Sequence, residues 1–164
     1  MDALLPFMRQ HFAKVTPVEG VRGQAIYGDY LCLSHEGHAV VVEVKAEQRW
    51  TGNLFIETWS NYRWRNPGWS IKCEADELWY YFQDARPEYE VLYVLNWPVF
   101  KVWAFEQEGL RRFKEVRQER TAQKNVTFGC LVNIDLLQRE LPPGGIVPYL
   151  RQGEMFYQAE AVTA

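Results

Sequence analysis

Two oppositely charged side chains interrupt an apolar stretch in the first third of the chain. Residues 39–45 read Ala-Val-Val-Val-Glu-Val-Lys, and their β-branched side chains predict a buried strand. Side chains alternate across a strand, so Glu43 and Lys45 should share one face while the alternate valines take the other. Burying a charge is costly unless it is paired, binds a metal or takes part in chemistry. The pair is therefore the first candidate for a functional site.

A second carboxylate, Asp29, lies on the strand predicted over residues 24–34, which a turn at Glu36-Gly37 joins to the 39–45 strand as a hairpin. If the hairpin pairs in this way, Asp29 and Glu43 can hold a hard divalent cation, with the carbonyl of Val44 as a third oxygen. Lys45 would then orient a water molecule or stabilise charge on a phosphate oxygen. This combination suits hydrolysis of a phosphodiester.

The arrangement resembles the PD-(D/E)XK nuclease superfamily, which includes restriction enzymes and archaeal Holliday junction resolvases. The family pattern places an acidic residue on one strand and Glu/Asp-X-Lys on the next, here Asp29 and then Glu43-Val44-Lys45. Gly28 stands where the family motif has its proline. The likeness is to small phage and bacterial members, and it covers residues 20–135. The segments that carry it are 51–58, 67–69, 75–82 and 128–135.

The resemblance implies a nuclease that uses Mg²⁺ or Mn²⁺ and hydrolyses nucleic acid, with DNA endonuclease action as the expected activity. Asp29, Glu43 and the Val44 carbonyl would bind the metal, and Lys45 would position the attacking water. In such nucleases a helix carrying Gln or Glu often follows the second strand. We predict this helix from Thr51 or Asn53 to about Tyr62, where Glu57 would supply an outer contact or bind a second metal. Many resolvase-like relatives are dimers, so a homodimer or a protein partner is also expected.

The remaining pattern predicts a single α/β domain over residues 1–164, with a mixed central sheet flanked by helices and a restriction-endonuclease-like core. Residues 63–72 should form a loop, and the tail after Val147 is weakly patterned. Helices are predicted at 2–13, 106–124 and 135–141, and strands at 78–82, 91–95, 99–104 and 126–134.

Basic side chains alternate with tryptophans after the predicted metal site. In a groove, such cations would neutralise phosphates and the aromatic rings would stack on unpaired bases. Alternatively, the tryptophans belong to the core and the cations are solvated. We expect a mixture, in which some of the tryptophans are buried and Arg63 and Arg65 are the better candidates for contacts. The predicted nucleic-acid contacts are Arg49, Arg63, Arg65 and Lys72, beside Trp50, Trp64 and Trp69.

Composition narrows the class of protein. A length of 164 residues with 48% hydrophobic content is enough for one compact core, and a net charge of −3 argues against a uniformly basic nucleic-acid coat protein. Three widely separated cysteines without a CxxC pair indicate neither a zinc ribbon nor a disulfide framework. The absence of a recognisable signal peptide and of a long apolar run favours a cytoplasmic protein without membrane contact.

Three alternatives remain open from the sequence. Glu43 and Lys45 can be an ordinary ion pair on an edge strand. The chain can also be a non-catalytic protein on a nuclease-like scaffold that docks onto protein or nucleic acid, or an enzyme that needs a partner. A metal site at His35 and His38 is disfavoured, because a hairpin turn lacks the helical face on which zincins place their histidines.

Overall fold

The computed structural model describes residues 2–20, 24, 28–86, 90–120, 125–153 and 155–159. The strands of this part of the chain are β1 (Lys14–Pro17), β2 (Tyr30–Leu33), β3 (Ala39–Glu47), β4 (Asn53–Asn61), β5 (Asn66–Pro67), β6 (Glu77–Phe82), β7 (Val91–Asn96), β8 (Glu115–Arg120), β9 (Asn125–Asn133), β10 (Ile146–Gln152) and β11 (Met155–Gln158). The α-helices are α1 (Leu5–His11), α2 (Trp69–Lys72), α3 (Trp97–Lys101) and α4 (Ile134–Glu140). Shorter turns of helix are the 3₁₀ segments Asp2–Leu4, Tyr62–Trp64 and Gly109–Arg112 and the π segment Val102–Glu106.

The strands form two sheets, which makes the protein a mixed α/β structure. Sheet A has seven strands in the order β1-β2-β3-β6-β7-β10-β11, and sheet B has four in the order β5-β4-β9-β8. Neighbouring strands are antiparallel except β3 and β6, which run parallel. Because β3 lies between β2 and β6, Glu43 and Lys45 are on an internal strand, and the edge-strand interpretation of the pair is wrong.

Sheet A is covered on both faces. One face packs with α1 in a cluster that includes Val42, Val44 and Trp79. The opposite face packs on sheet B and on α3 and α4 in a larger cluster that includes Leu78 and Tyr80. In the β3–β6 register Val44 pairs with Trp79 and Glu43 with Leu78. The predicted alternation along β3 is therefore confirmed, and the charged pair lies on the face of sheet A that sheet B covers.

Several predicted elements are confirmed with small changes in their bounds. The first helix ends at His11, two residues before the predicted end. The hairpin of β2 and β3 is antiparallel and pairs Tyr30 with Val42. The predicted strands at 78–82, 91–95 and 126–134 are β6, β7 and β9, and the short helix after them is α4. The strand predicted over 24–34 is shorter in the structure, since only Tyr30–Leu33 form β2. Gln24 is not in a strand and Asp29 lies just before β2, while residues 25–27 lie outside the described residues.

The helix predicted over 51–62 is wrong, because this segment is strand β4. Its residues Leu54, Phe55, Ile56 and Glu57 are all buried. A run that is buried at every position is typical of a strand covered on both faces, whereas a surface helix leaves one side exposed. β4 is also an internal strand of sheet B, and its pairing with β9 decides the conformation of this segment.

Two predictions farther along the chain are also wrong. The 99–104 strand is instead α3 followed by the π segment, since the Asn96 side chain caps the Val99 N–H at 3.2 Å and Pro98 occupies the first turn. Residues 106–120 of the predicted long helix contain a 3₁₀ turn and the edge strand β8, while 121–124 lie outside the described residues. Alternating charges on β8 are a common protection of an edge strand.

The tail also contains structure that its weak pattern did not indicate. β10 and β11 form an antiparallel hairpin that completes sheet A, with β10 beside β7. Among the described residues, no helix is long and apolar enough to cross a membrane. All three cysteines are buried and unpaired.

Candidate functional site

The pair at the centre of the predicted site forms a direct ion pair. Glu43 is buried, with 7% of its surface exposed, and Lys45 is half-buried. The Lys45 Nζ donates a hydrogen bond to Glu43 Oε1. Because the two residues are two positions apart on β3, the strand itself keeps both side chains on the same face.

Asp29 is held against β3 by two backbone contacts. Its N–H donates to the Val42 carbonyl at 2.9 Å, and its Oδ2 accepts from the Val44 N–H at 2.9 Å. Gly28 makes this approach possible: its φ is +73°, and a Cβ there would lie 2.8 Å from the Val42 oxygen. The ring of proline fixes φ near −65°, so the proline of the family motif could not adopt this conformation.

Glu57 lies on strand β4 and not on the predicted helix. It is buried, and its Oε1 accepts from the Trp69 N–H at 3.3 Å. The Ser70 hydroxyl donates to the Glu57 carbonyl at 2.6 Å. Gly68 lies so close to β4 that a Cβ would stand 2.1 Å from the Glu57 oxygen. The first residues of α2 therefore anchor β4 at Glu57.

Trp69 connects the two halves of the site. The Lys45 Nζ lies 4.9 Å from the centroid of the Trp69 ring, a cation–π contact, while the Trp69 backbone binds Glu57. The ring stacks on Trp97 at 5.5 Å, which fixes its position. Trp69 therefore contacts both Lys45 and Glu57. We call Asp29, Glu43, Lys45 and Glu57 the acid–lysine cluster.

Burial and charged neighbours shift the pKa of Glu43. Burial raises the pKa of Glu43, the charge and hydrogen bond of Lys45 oppose this shift, and the negative charge of Asp29 adds to it. The second carboxylate is therefore close enough to repel the first. Burial also raises the pKa of the nearby Cys73 thiol to about 11, which keeps it protonated near neutral pH.

Within the described residues, no group of three or more His, Cys, Asp or Glu side chains is arranged to hold a metal ion. The predicted ligand set contains two carboxylates, Asp29 and Glu43, together with the Val44 carbonyl, so it does not require such a group. The role of that carbonyl stays a prediction. Asp29 Oδ2 is occupied by the Val44 N–H, and Glu43 Oε1 by Lys45.

The predicted nucleic-acid contacts fall in different places. Arg63 and Arg65 are exposed on the loop after β4, where they line a surface cavity of about 450 Å³ with Trp59 and Tyr62. Arg49 lines a different cavity, and Lys72 is exposed at the end of α2. The structure therefore brings two of the four cations together.

The prediction that only some of these tryptophans are buried is confirmed. Trp64 is 70% exposed, whereas Trp50 and Trp69 pack against the larger core. Sequence reasoning missed the way in which Gly68 and Ser70 anchor Glu57. The only signal was the Pro67-Gly68 dipeptide, which indicated a chain break but not its partner.

Comparison with known proteins found no match: no family model, no curated protein and no solved structure is similar to this chain.

Proposed function

We propose that this protein is a metal-dependent nuclease that hydrolyses nucleic-acid phosphodiesters, with DNA as the preferred substrate. The observation that carries the proposal is Glu43, a buried carboxylate whose pKa is raised even though Lys45 contacts it directly. Asp29, bonded to the same strand, adds negative charge beside it. A divalent cation between the two carboxylates would remove this repulsion.

The donor set suits the proposed ion. Carboxylate and carbonyl oxygens are the ligands that Mg²⁺ and Mn²⁺ prefer. Asp29 and Glu43 would hold the ion, together with the Val44 carbonyl. When bound, such an ion lowers the pKa of a ligated water and stabilises negative charge on phosphate.

Side chains of the protein would position the attacking water and the phosphate. With Glu43 engaged by the ion, the Lys45 ammonium could turn from the carboxylate to a phosphate oxygen or to the attacking water. The Trp69 ring would keep the ammonium near the site, and the Trp69 N–H would hold the Glu57 carboxylate in a fixed orientation. Glu57 would then bind an outer water or a second metal.

The order of elements also supports the proposal. Asp29 directly precedes β2, and Glu43 and Lys45 lie on β3, next to β2 in one mixed sheet. The superfamily that the sequence resembles has its acidic residue and its Glu/Asp-X-Lys motif in the same order, although the helix expected after the second strand is strand β4 in this protein. A restriction-endonuclease-like core, endonuclease action, a cytoplasmic location and a homodimer or other protein partner belong to the same proposal.

A comparison of two lysines tests the proposal. Lys45 and Lys101 have side chains of similar exposure, 29% and 26%, and each pairs with a glutamate. With Mg²⁺ or Mn²⁺ and a panel of duplex, single-stranded and branched DNA and RNA, we expect K45A to cut about 100-fold more slowly or worse. K101A should retain cleavage. Equal cleavage by K45A and the parent protein would refute the mechanism.

A non-catalytic binding protein on a nuclease-like scaffold is the second candidate. One observation favours it: oxygens of Asp29 and Glu43 already have protein partners. Titration calorimetry with Mn²⁺ separates the candidates. A nuclease should take up the ion through Glu43, whereas an inert binder should show no uptake that depends on the carboxylates.

A further inference from the structure

A group of aromatic and basic side chains lies on the surface where β4 ends. Trp64 is the most exposed of the large hydrophobic residues in the described part of the chain, at 70%, and Tyr62 is 54% exposed. Arg63 and Arg65 alternate with them and are also exposed. Together with Trp59 they form what we call the aromatic–basic loop, residues 59–65.

Local contacts hold this loop in shape. The Asn61 side chain accepts from the Trp64 N–H at 3.3 Å and caps the 3₁₀ turn. Arg65 ends the turn in the left-handed region, with φ of 51°, and its N–H donates to the Tyr62 carbonyl at 3.2 Å. This conformation is uncommon for a residue with a side chain.

The aromatic rings of the loop are also ordered. Tyr62 packs on Phe128 with ring centroids 4.6 Å apart and meets Trp59 edge-on at 6.2 Å. Among the described residues, no aromatic ring packs on Trp64, and the Arg63 guanidinium lies 5.7 Å from its ring centroid. An exposed ring on an ordered turn can stack on a ligand without first being ordered.

The charge of the loop indicates the ligand. In the described part of the chain, Arg63 and Arg65 form no salt bridge, whereas Arg86, Arg111 and Arg112 each pair with a carboxylate. The loop is thus a positive site on a chain with a net charge of −3. Its cavity of about 450 Å³ is within the usual range of ligand sites.

We propose that the aromatic–basic loop binds unpaired bases of single-stranded nucleic acid. Trp64 and Tyr62 would stack on bases, and Arg63 and Arg65 would contact the adjoining phosphates. In a duplex the base faces are already stacked, so the exposed ring of Trp64 would have nothing to stack on. An acidic peptide would use the two cations but not the ring faces.

This inference rests on the proposed nuclease function, because single-stranded nucleic acid would then be the substrate of the nuclease. β4 carries both Glu57 and the start of the loop. At ~3.3 Å per residue, the four steps from Glu57 to Asn61 span about 13 Å. A single strand held at the loop could therefore extend towards the acid–lysine cluster.

The experiment measures binding without cleavage. Fluorescence anisotropy of a labelled single-stranded oligonucleotide, and of the duplex of the same sequence, is recorded in EDTA. We expect W64A to weaken single-strand binding about tenfold, the size of one lost base–aromatic stack, and W64F to stay within about threefold of the parent. Circular dichroism checks that each variant is folded.

A matched pair of tyrosines provides the control. Tyr62 and Tyr157 are both 54% exposed, but Tyr157 lies on β11, in the other sheet. Y62A should weaken single-strand binding and Y157A should not. The inference is wrong if W64A leaves single-strand binding unchanged or weakens duplex binding to the same extent. It is also wrong if the protein binds an acidic peptide and no single-stranded oligonucleotide. The binding assay contains no metal, so its result does not depend on cleavage. If the parent protein binds single strands but does not cut nucleic acid in the separate cleavage assay, only the nuclease proposal is contradicted.

Discussion

Two carboxylate–cation pairs in this protein behave in opposite ways. Glu43 pairs with Lys45 on sheet A, and its side chain is 9% exposed; Glu140 pairs with Arg112 between α4 and the 109–112 turn, and its side chain is 30% exposed. The pKa of Glu43 is raised, chiefly by burial. The pKa of Glu140 is lowered to about 2, chiefly by hydrogen bonds from Arg112 and Trp103.

The difference lies in how well the charge of each carboxylate is satisfied by its surroundings. Glu140 accepts from Arg112 and also from the Trp103 indole N–H at 2.8 Å, so its charge is well satisfied. Glu43 is less exposed to water, and one ammonium does not offset this cost while Asp29 repels it. If the comparison is sound, removing each charge should have opposite consequences.

The largest effect should be on metal-dependent cleavage. E43Q removes a proposed ligand charge, so we expect cleavage to fall about 100-fold or more and Mn²⁺ uptake to disappear in calorimetry. E140Q, the matched control, should cut and bind Mn²⁺ as the parent does. The comparison fails if E140Q loses as much activity as E43Q, or if neither loses any.

A smaller effect, of opposite sign for the two variants, is expected in thermal stability without metal. E43Q removes the cost of a buried charge and keeps an oxygen that can accept from Lys45. Its Tm should rise by about 2–4 °C, the shift that roughly 1 kcal/mol produces in a domain of this size. E140Q weakens a satisfied pair, so its Tm should fall. Scanning calorimetry in EDTA measures both, and a lower Tm for E43Q would show that Glu43 is an ordinary structural partner.

The smallest effect should be in the pH dependence of those Tm differences. A raised pKa means that Glu43 favours the fold when it is protonated, and this contribution is lost as the pH rises through the raised value. The Tm of the parent should therefore fall increasingly below that of E43Q as the pH rises above the ordinary value of 4.5.

Glu140 has the opposite sign. Its lowered pKa gives stability that is fully present above 4.5 and is lost as the pH falls through about 2. The Tm advantage of the parent over E140Q should shrink in that acidic range. Parallel pH profiles for the two variants would contradict the assigned shifts.

Predictions from the sequence succeeded where the determinant was local. The alternation of charge and valine along β3 follows from strand geometry, and the hairpin of β2 and β3 follows from a short turn. These two features were enough to place Asp29 beside Glu43 and Lys45. The likeness to a nuclease superfamily stays a prediction.

Predictions failed where sheet pairing decided the structure. Residues 53–61 were predicted as a helix, yet they form β4 because β9 and β5 flank them. Spacing describes one segment alone, whereas strand pairing depends on residues far away in the chain. The long charged helix near residue 115 failed for the same reason, since β8 pairs with β9.

The sequence alone determined which charges share the face of β3, because side-chain alternation needs no information beyond the strand. Only the tertiary structure decided that Glu57 and Lys45 both contact Trp69. This arrangement depends on Gly68 lying against β4 and on the Trp69 N–H reaching the Glu57 carboxylate. The burial that raises the pKa of Glu43 is likewise a product of the packing of sheet B on sheet A, which no single segment contains.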